Sequence, residues 1–178
     1  MKLIGITGRM GHGKDTVADM LQKDHGYQQV AFADPLKTVL SIIACEPVEN
    51  FYDRELKEKQ SPSLGMTRRE AMQLMGTEVC REMFGAQIWT DGLITRWYQG
   101  GQQPTVVSDV RFDEEALAII ANGGVILRVV RPGIDEGESS HASEAGIDPG
   151  LIKYEIRNES TLQDLSLMVN AFVAGLEG

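Results

Sequence analysis

Residues 3–16 read LIGITGRMGHGKDT, an apolar run that passes through glycine-rich residues into the start of a helical pattern. Glycines at positions 8, 11 and 13 allow the backbone to curl so that successive N–H groups point into one concavity. A helix that begins near Lys14 adds the positive end of its dipole to the same concavity. This order of strand, loop and helix predicts a cradle for the phosphates of a nucleoside triphosphate. The predicted phosphate-binding residues are Gly8, Arg9, Gly11, His12, Gly13, Lys14, Asp15 and Thr16.

The residue after the lysine departs from the usual pattern of such loops. That pattern has Ser or Thr there, where the hydroxyl meets magnesium, whereas this chain has Asp15, with Thr16 one position later. Either Asp15 serves Mg²⁺ directly or through water, or it is a first-turn acid favoured by the helix dipole while Thr16 binds the metal. We favour a shared duty, with Lys14 as a mobile charge for the outer phosphates. The alternative for the whole segment is a glycine turn that merely joins a strand to a helix.

The composition limits the fold and the partners. The 178 residues fit one ordinary domain, and 42% hydrophobic with 24% charged residues is typical of a globular protein. No apolar stretch approaches the roughly 20 residues of a membrane helix, and no signal peptide follows Met1, so we expect no membrane partner and a cytoplasmic location. The net charge of −9 argues against a nucleic-acid polymer as partner but suits small phosphorylated ligands. Cys45 and Cys80 have no CxxC spacing and are interpreted as reduced, packed thiols.

Alternating strand and helix patterns predict an α/β fold, a doubly wound parallel sheet. Apolar or β-branched runs mark the strands, near residues 3–6, 29–33, 105–109, 125–131 and 154–158. Ligands of such a sheet gather at the carboxyl ends of its strands.

The region between the second and third predicted strands is polar and irregular. Residues 46–65 lack an apolar face and indicate a mobile excursion. Residues 67–70 have the spacing of a capping box ahead of a helix. On that helix Arg69, Gln73 and Thr77 recur at intervals of four, which predicts one polar stripe able to read a base and hold a phosphate. A solvated helix surface is the alternative interpretation.

Two charged residues follow the third predicted strand. Asp109 ends that strand, which makes it a candidate for the magnesium site or for contact with a phosphoryl acceptor. Arg111 lies two residues further on, where we interpret it either as an anion-binding residue or as an exposed ion-pair partner of Glu114 or Glu115. Asp113 is predicted to cap the helix that comes next.

The fourth predicted strand carries arginines at its middle and its end. Arg128 and Arg131 occupy these positions, and an arginine within a strand requires a phosphate or a carboxylate partner. Residues 132–149 then form a stretch rich in Gly, Ser, Asp and Glu, which predicts a flap able to close over a reaction.

Short motifs occur in a fixed order along the chain: GRMGHGKDT at 8–16, FADPLK at 32–37, GTE at 76–78, SDVRF at 108–112 and HASE at 141–144. In this set the chain resembles the bacteriophage-type deoxynucleoside monophosphate kinases over most of its length. The resemblance implies a single P-loop kinase domain over residues 1–178, with sheet order 2-3-1-4-5, an acceptor-binding excursion at about 34–100 and a lid at about 132–149. It also implies phosphoryl transfer from ATP, with Mg²⁺, to a deoxynucleoside 5′-monophosphate.

The resemblance further implies roles for single residues. Together with the strand-end argument, it gives as acceptor-binding residues Asp34, Lys37, Arg68, Arg69, Gln73, Trp89, Asp109 and Arg111. The residues expected to act on the transferring group are Lys14, Arg111, Arg128 and Arg131, and those expected at the metal are Asp15, Thr16 and Asp109. The motif at 141–144 receives no role.

Two other interpretations compete with this one. The loop alone would equally suit a kinase of another small phosphorylated metabolite, such as dephospho-coenzyme A or phosphomevalonate. A regulatory protein that binds ATP without turning it over is the second. The expected partners in each case are small molecules, and the sequence leaves the oligomeric state open.

Overall fold

The computed structural model describes residues 2–133 and 146–177. Its sheet has five parallel strands in the order β2-β3-β1-β4-β5. The strands are β1 (Leu3–Thr7), β2 (Gln28–Val30), β3 (Thr105–Val107), β4 (Val125–Val130) and β5 (Tyr154–Arg157). The doubly wound class and the strand order expected from the sequence are confirmed.

Helices alternate with the strands because each apolar strand is followed by a segment with helical periodicity. The helices of the described residues are α1 (Lys14–His25), α2 (Asp34–Ala44), α3 (Glu49–Tyr52), α4 (Arg68–Gln73), α5 (Cys80–Phe84), α6 (Ile88–Gln99), α7 (Asp113–Ala121) and α8 (Leu162–Glu177). The long helix α1 ends where the sequence indicates, because Gly26 adopts a left-handed conformation and its N–H bonds back to Gln22.

The chain forms two compact units. One, which we call the sheet unit, comprises Met1–Ala31 and Gly92–Gly178, and the other, the helical unit, comprises Phe32–Asp91. In the sheet unit β1 is central and all its residues are buried, since it pairs with both β3 and β4. The helical unit has a core of its own, formed by Leu36, Leu40, Ala44, Phe51 and Ala71.

Two local features of the sheet unit differ from the sequence expectations. Strand β2 ends at Val30, three residues earlier than expected, because the chain turns toward the start of α2. The predicted cap of α7 is wrong, since Asp113 is the first residue of the helix and not its cap. The Glu115 carboxylate instead accepts hydrogen bonds from the backbone N–H groups of Arg111 and Phe112, which the helix leaves without partners.

The helical unit is more ordered than its sequence indicates. The polar residues 46–65, expected to be a mobile excursion, contain α3 and a 3₁₀ turn at Leu56–Glu58. Phe51 of α3 is only 1% exposed, so this segment has an apolar anchor in the core of the unit. The cysteine interpretation holds in part: both thiols are free, but Cys45 is exposed rather than packed.

Between α4 and α5 the chain forms a π-helix, Leu74–Val79. The capping box predicted ahead of α4 is confirmed, with Thr67 and Glu70 bonded to each other's backbone. The four-residue spacing of the predicted polar stripe has α-helical geometry only as far as Gln73, so Thr77 does not extend it in the expected way.

The predicted flap, including the motif at 141–144, falls mostly on residues 134–145, which lie outside the described residues. Within the ranges 2–133 and 146–177, no helix is long and apolar enough to cross a membrane.

Candidate functional site

The glycine loop joins β1 to α1 and packs directly against β4. Gly8 has a φ of +139°, and a Cβ at this position would lie 2.3 Å from the carbonyl oxygen of Val129. That distance is far inside van der Waals contact, so only glycine fits where β4 approaches the loop. The side chain of His12 is buried, and its Nδ1 lies 3.2 Å from the same Val129 oxygen.

The far end of the loop is equally close to its surroundings. Gly13 has a φ of +95°, and a Cβ there would lie 2.5 Å from Nδ2 of Asn158. Asn158 follows β5 directly, and its Nδ2 donates to the carbonyl oxygen of His12 at 3.1 Å. Both ends of the loop therefore rest on residues at the carboxyl ends of β4 and β5.

Lys14 points back over the loop that precedes it. Its Nζ donates to the carbonyl oxygens of Gly8 at 2.7 Å and Arg9 at 2.9 Å. An ammonium group can exchange such a carbonyl oxygen for a phosphate oxygen, which is the stronger, charged acceptor. The loop thus suits a chain of phosphates: it combines exposed backbone at residues 9–11, a half-buried cation and the start of α1.

Asp15 and Thr16 lie in the first turn of α1, the former exposed and the latter half-buried. Their oxygens are donors of the type that Mg²⁺ prefers. Among residues 2–133 and 146–177 no three His, Cys, Asp or Glu side chains form a metal cluster. A magnesium ion held here would therefore share its coordination between these oxygens, phosphate oxygens and water.

The other candidates of the sheet unit follow strands whose carboxyl ends share the edge that holds the loop. Asp109 is half-buried and Arg111 is exposed, both just after β3. Arg131 is exposed just after β4. The parallel strand order thus brings these residues to the edge of the sheet at which the loop lies.

The sequence predicts either a phosphate or a carboxylate partner for Arg128, and the structure shows a carboxylate. Its Nε and Nη2 lie 2.9 Å and 2.6 Å from Oε2 of Glu155, which is its paired residue on β5. Hydrogen bonds from Arg128 lower the pKa of the Glu155 carboxyl below its ordinary value.

In the helical unit, Asp34 and Lys37 form a cluster with Tyr52. The Lys37 Nζ lies 3.5 Å from Oδ1 of Asp34 and 3.8 Å from the centre of the Tyr52 ring. The Tyr52 hydroxyl donates to the same Asp34 oxygen at 2.8 Å. An ion pair and a cation–π contact therefore hold the Lys37 ammonium in one place.

Arg68 is buried and is engaged within the unit. Its Nε donates to Glu46 at 2.5 Å, and its Nη1 donates to the carbonyl oxygens of Leu56 at 2.9 Å and Lys59 at 3.2 Å. Burial raises the pKa of the Glu46 carboxyl, but hydrogen bonds led by those from Ser61 and Arg68 outweigh it, and the net pKa is lowered. Arg68 thus fastens the 46–65 segment to α4.

Arg69, the next residue, is more accessible. It pairs with Glu58, and the two side chains are 25% and 52% exposed. The hydrogen bond from Arg69 lowers the pKa of the Glu58 carboxyl. Gln73 ends α4 and is half-buried, while Trp89 Nε1 donates at 2.9 Å to the carbonyl oxygen of Gly76 in the π-helix.

Comparison with known proteins identifies the family of the chain. A sequence profile described as deoxynucleotide monophosphate kinase matches residues 49–169. The chain belongs to the deoxynucleotide monophosphate kinase family. A relative from Acanthamoeba polyphaga mimivirus that carries the same family name is 32% identical, with 81% of each chain covered. The deoxynucleotide monophosphate kinase of Enterobacteria phage T4 is 24% identical, with 93% of this chain and 95% of the phage protein covered.

Solved structures show the same fold at low identity. Dephospho-CoA kinase from Campylobacter jejuni superposes with a TM-score of 0.54 at 13% identity, covering 99% of this chain and 98% of that one. Shikimate kinase from Acinetobacter baumannii gives 0.51 at 11%, with 98% and 94% covered. The Thermus thermophilus protein TT1252 gives 0.52 at 20%, with 99% and 98% covered. The family match makes the chain a nucleotide kinase, and its fold is shared by a dephospho-CoA kinase and a shikimate kinase.

For this member of the deoxynucleotide monophosphate kinase family, the sequence reasoning missed several residues that contact the candidates, among them Asn158, Tyr52 and Glu58. Asn158 comes directly at a predicted strand end, which is the signal that could have identified it. Tyr52 and Glu58 lie in the polar segment 46–65, where no periodicity marks them. Their contacts with Asp34, Lys37 and Arg69 depend on how the segment folds back.

Proposed function

We propose that this chain transfers the terminal phosphoryl group of ATP to the 5′-phosphate of a deoxynucleoside monophosphate, giving ADP and a deoxynucleoside diphosphate. The observation that carries the proposal is the loop at residues 8–13, where Gly8 leaves no room for a Cβ beside the Val129 carbonyl and over which the Lys14 ammonium lies. The names of the mimivirus and phage T4 relatives support the acceptor class.

The donor site in this proposal is the loop and the first turn of α1. Backbone N–H groups of residues 8–13 bind the phosphate chain, and Lys14 exchanges its loop carbonyls for phosphate oxygens. Asp15 and Thr16 hold Mg²⁺, with Asp109 as a further oxygen at the same edge of the sheet. When bound, the ion offsets negative charge on the phosphates and helps to orient them.

Cations dominate this mechanism because the acceptor phosphate is already an anion and needs no general base. Lys14, Arg111 and Arg131 have positions at the loop edge from which they can neutralise charge that develops on the transferring group. Arg128 acts with them in the proposal only after partly releasing Glu155, its present partner. Because no general base is needed, the predicted site residues include no catalytic dyad.

In this proposal the helical unit contributes most of the residues assigned to the acceptor. Lys37 and Arg69 supply positive charge to the acceptor phosphate, and Asp34, Gln73 and Trp89 supply polar or aromatic contacts. Arg68 has its guanidinium already bonded to Glu46 and two carbonyls, so we assign it the role of holding this region in shape.

The other small-molecule acceptors are less well supported. Dephospho-CoA kinase shares the fold at 13% identity, which is too low to transfer its acceptor. The family match spans residues 49–169, which include most of the proposed acceptor residues. A purely regulatory ATP-binding protein would not require cations on two strand ends and on α4.

The test is ADP release from ATP and Mg²⁺ with each deoxynucleoside monophosphate, each ribonucleotide counterpart, dephospho-coenzyme A, phosphomevalonate and no acceptor. We expect release that depends on a deoxynucleoside monophosphate and that falls at least about 100-fold in Lys14→Ala, since Lys14 stabilises charge in the transition state. Lys23→Ala, which removes an exposed lysine of the same helix, is the matched control. ATP binding without acceptor-dependent release across the whole panel would refute the proposal.

A further inference from the structure

The side chain of Asn158, which comes directly after β5, contacts the glycine loop, and no sequence motif points to it. Its backbone N–H donates to the carbonyl oxygen of Val130 at 2.7 Å, which continues the pairing of β5 with β4 by one residue. Its carboxamide Nδ2 then donates to the carbonyl oxygen of His12 at 3.1 Å. A sheet hydrogen bond therefore fixes the backbone from which this side chain reaches the loop.

The peptide that Asn158 holds is one on which the loop depends. Every described peptide bond is trans, and in a planar trans peptide the C=O and the N–H point in opposite directions. Since the C=O of His12 points to Asn158, the N–H of Gly13 points to the opposite side of the loop. The orientation of that N–H is thus set by a side chain from the other end of the chain.

Two further contacts leave this peptide little freedom. Asn158 Nδ2 fills the space beside Gly13, where a Cβ would come within 2.5 Å of it. The His12 ring is buried with Nδ1 3.2 Å from the carbonyl oxygen of Val129, so the residue that carries the C=O is anchored on its other side by β4. The ends of β4 and β5 together hold the residue pair that precedes Lys14.

We propose that Asn158 is a positioning residue for the donor phosphates: its hydrogen bond to the His12 carbonyl turns the Gly13 N–H toward the phosphate chain. The proposal rests on the proposed function only in taking the loop as the phosphate site. It assigns Asn158 no contact with the base or with the acceptor.

The experiment compares Asn158→Asp and Asn158→Ala with the wild-type chain. Asn158→Asp has nearly the same shape but replaces the donor with a carboxylate oxygen that repels the His12 carbonyl. Binding of ATP and of inorganic tripolyphosphate is titrated calorimetrically with Mg²⁺, because tripolyphosphate reports on the phosphate cradle without a base. We expect both variants to bind both probes about tenfold more weakly, the size of one lost hydrogen bond that leaves a carbonyl unpaired.

Kinetics give a second readout. The KM for ATP is expected to rise by about the same factor, with little change in kcat or in the KM for the acceptor. Asn122→Asp is the matched control, because its carboxamide also donates to a backbone carbonyl, that of Ala118, but at the end of α7. Thermal unfolding of each variant shows whether the fold is retained.

Three results would overturn the proposal. Weaker binding of ATP with unchanged binding of tripolyphosphate would mean that Asn158 acts on the base. A lower melting temperature with unchanged affinity for both probes would mean a purely structural role. Failure of the wild-type chain to bind tripolyphosphate would show that the loop is not a phosphate-binding cradle. Because these titrations measure binding, their failure can be distinguished from failure of the acceptor-dependent ADP release that tests the proposed function.

Discussion

Every contact given for the glycine loop at residues 8–13 of the sheet unit includes a backbone group of the loop or of β4, whereas the helical unit pairs each of its candidate cations with a carboxylate. A Cβ at Gly8 would lie 2.3 Å from the backbone of β4, and one at Gly13 would lie 2.5 Å from Nδ2 of Asn158, which would have to move. Lys37, Arg68 and Arg69 instead pair with Asp34, Glu46 and Glu58.

Under the proposed function, this difference predicts that the two regions differ in selectivity for phosphates. A backbone cradle is built once, by glycine positions and strand ends, and recognises phosphates whatever they are attached to. Paired cations bind a phosphate only by exchanging a carboxylate for it, so their affinity depends on how firmly each pair is held. We expect the helical unit to account for the choice of acceptor and the loop to account for the nucleotide phosphates.

Removing Arg68 should have the largest effect on stability. Arg68→Ala leaves Glu46 without its main cation, and side-chain exposures of 8% and 11% place this pair away from water. A broken buried pair costs about 3–5 kcal/mol, which chemical denaturation would measure as a lower free energy of unfolding. An unchanged free energy of unfolding would show that the pair does not hold the helical unit together.

Adding one methyl group to the loop should have the next largest effect. Gly8→Ala places a Cβ 2.3 Å from the Val129 oxygen at a φ of +139°, and strain with overpacking costs about 2–4 kcal/mol. Gly26→Ala is the matched control, since its φ of +71° is also left-handed but nothing lies within 4 Å of the new Cβ. That control should lose only about 1 kcal/mol. Equal losses in the two variants would contradict the close packing of the loop on β4.

The accessible pair of the helical unit should influence the acceptor and not the donor. Arg69→Ala is expected to raise the KM for the acceptor about tenfold with the KM for ATP unchanged, since one charged contact is lost. Glu58→Gln should lower the acceptor KM, because it removes the carboxylate that competes for Arg69. The control is Arg54→Ala, which removes an exposed arginine from the polar segment 46–65 that also contains Glu58. A change in the KM for ATP of the same size would break the division of labour between the two regions.

The smallest expected effect is on the pH dependence of stability. The folded pKa of Glu46 lies below its ordinary value of 4.5, so its carboxylate stabilises the fold above that pH and this contribution is lost as the pH falls through the lowered pKa. Glu46→Gln should therefore lose less of its free energy of unfolding than wild type between neutral pH and the acid range. Urea titrations at a series of pH values, with Glu49→Gln as a control for charge removal, would measure this. Parallel profiles for wild type and Glu46→Gln would contradict the expectation.

The same comparison explains what could be predicted from the sequence. The order of strand, loop and helix at residues 3–16 and the capping box of α4 depend on neighbouring residues, and both are confirmed. The strand order, which the family resemblance implied, is also confirmed. No rule of residue spacing predicts the π-helix at Leu74–Val79. Tertiary contacts accompany it, such as the hydrogen bond from Trp89 to the Gly76 carbonyl. The identity of the carboxylate that pairs with Arg128 depends on strand register, which places Glu155 opposite it.

Contacts between residues that lie far apart in the sequence could not be predicted, for a related reason. Glu46 and Arg68 lie 22 positions apart, and His12 and Asn158 lie 146 apart. Charge and polarity identify each of them as able to form hydrogen bonds, but only the folded backbone selects the partner. The candidate residues could therefore be predicted by type, and their pairing could not.

The most direct test of the account is the transfer of labelled phosphate from ATP that carries ³²P at its γ position. Wild-type protein is incubated with this ATP, Mg²⁺ and each deoxynucleoside monophosphate, and the labelled products are separated by chromatography. The account predicts that the label appears in a deoxynucleoside diphosphate. Label that remains in ATP, or that appears only as inorganic phosphate with every acceptor, would contradict it.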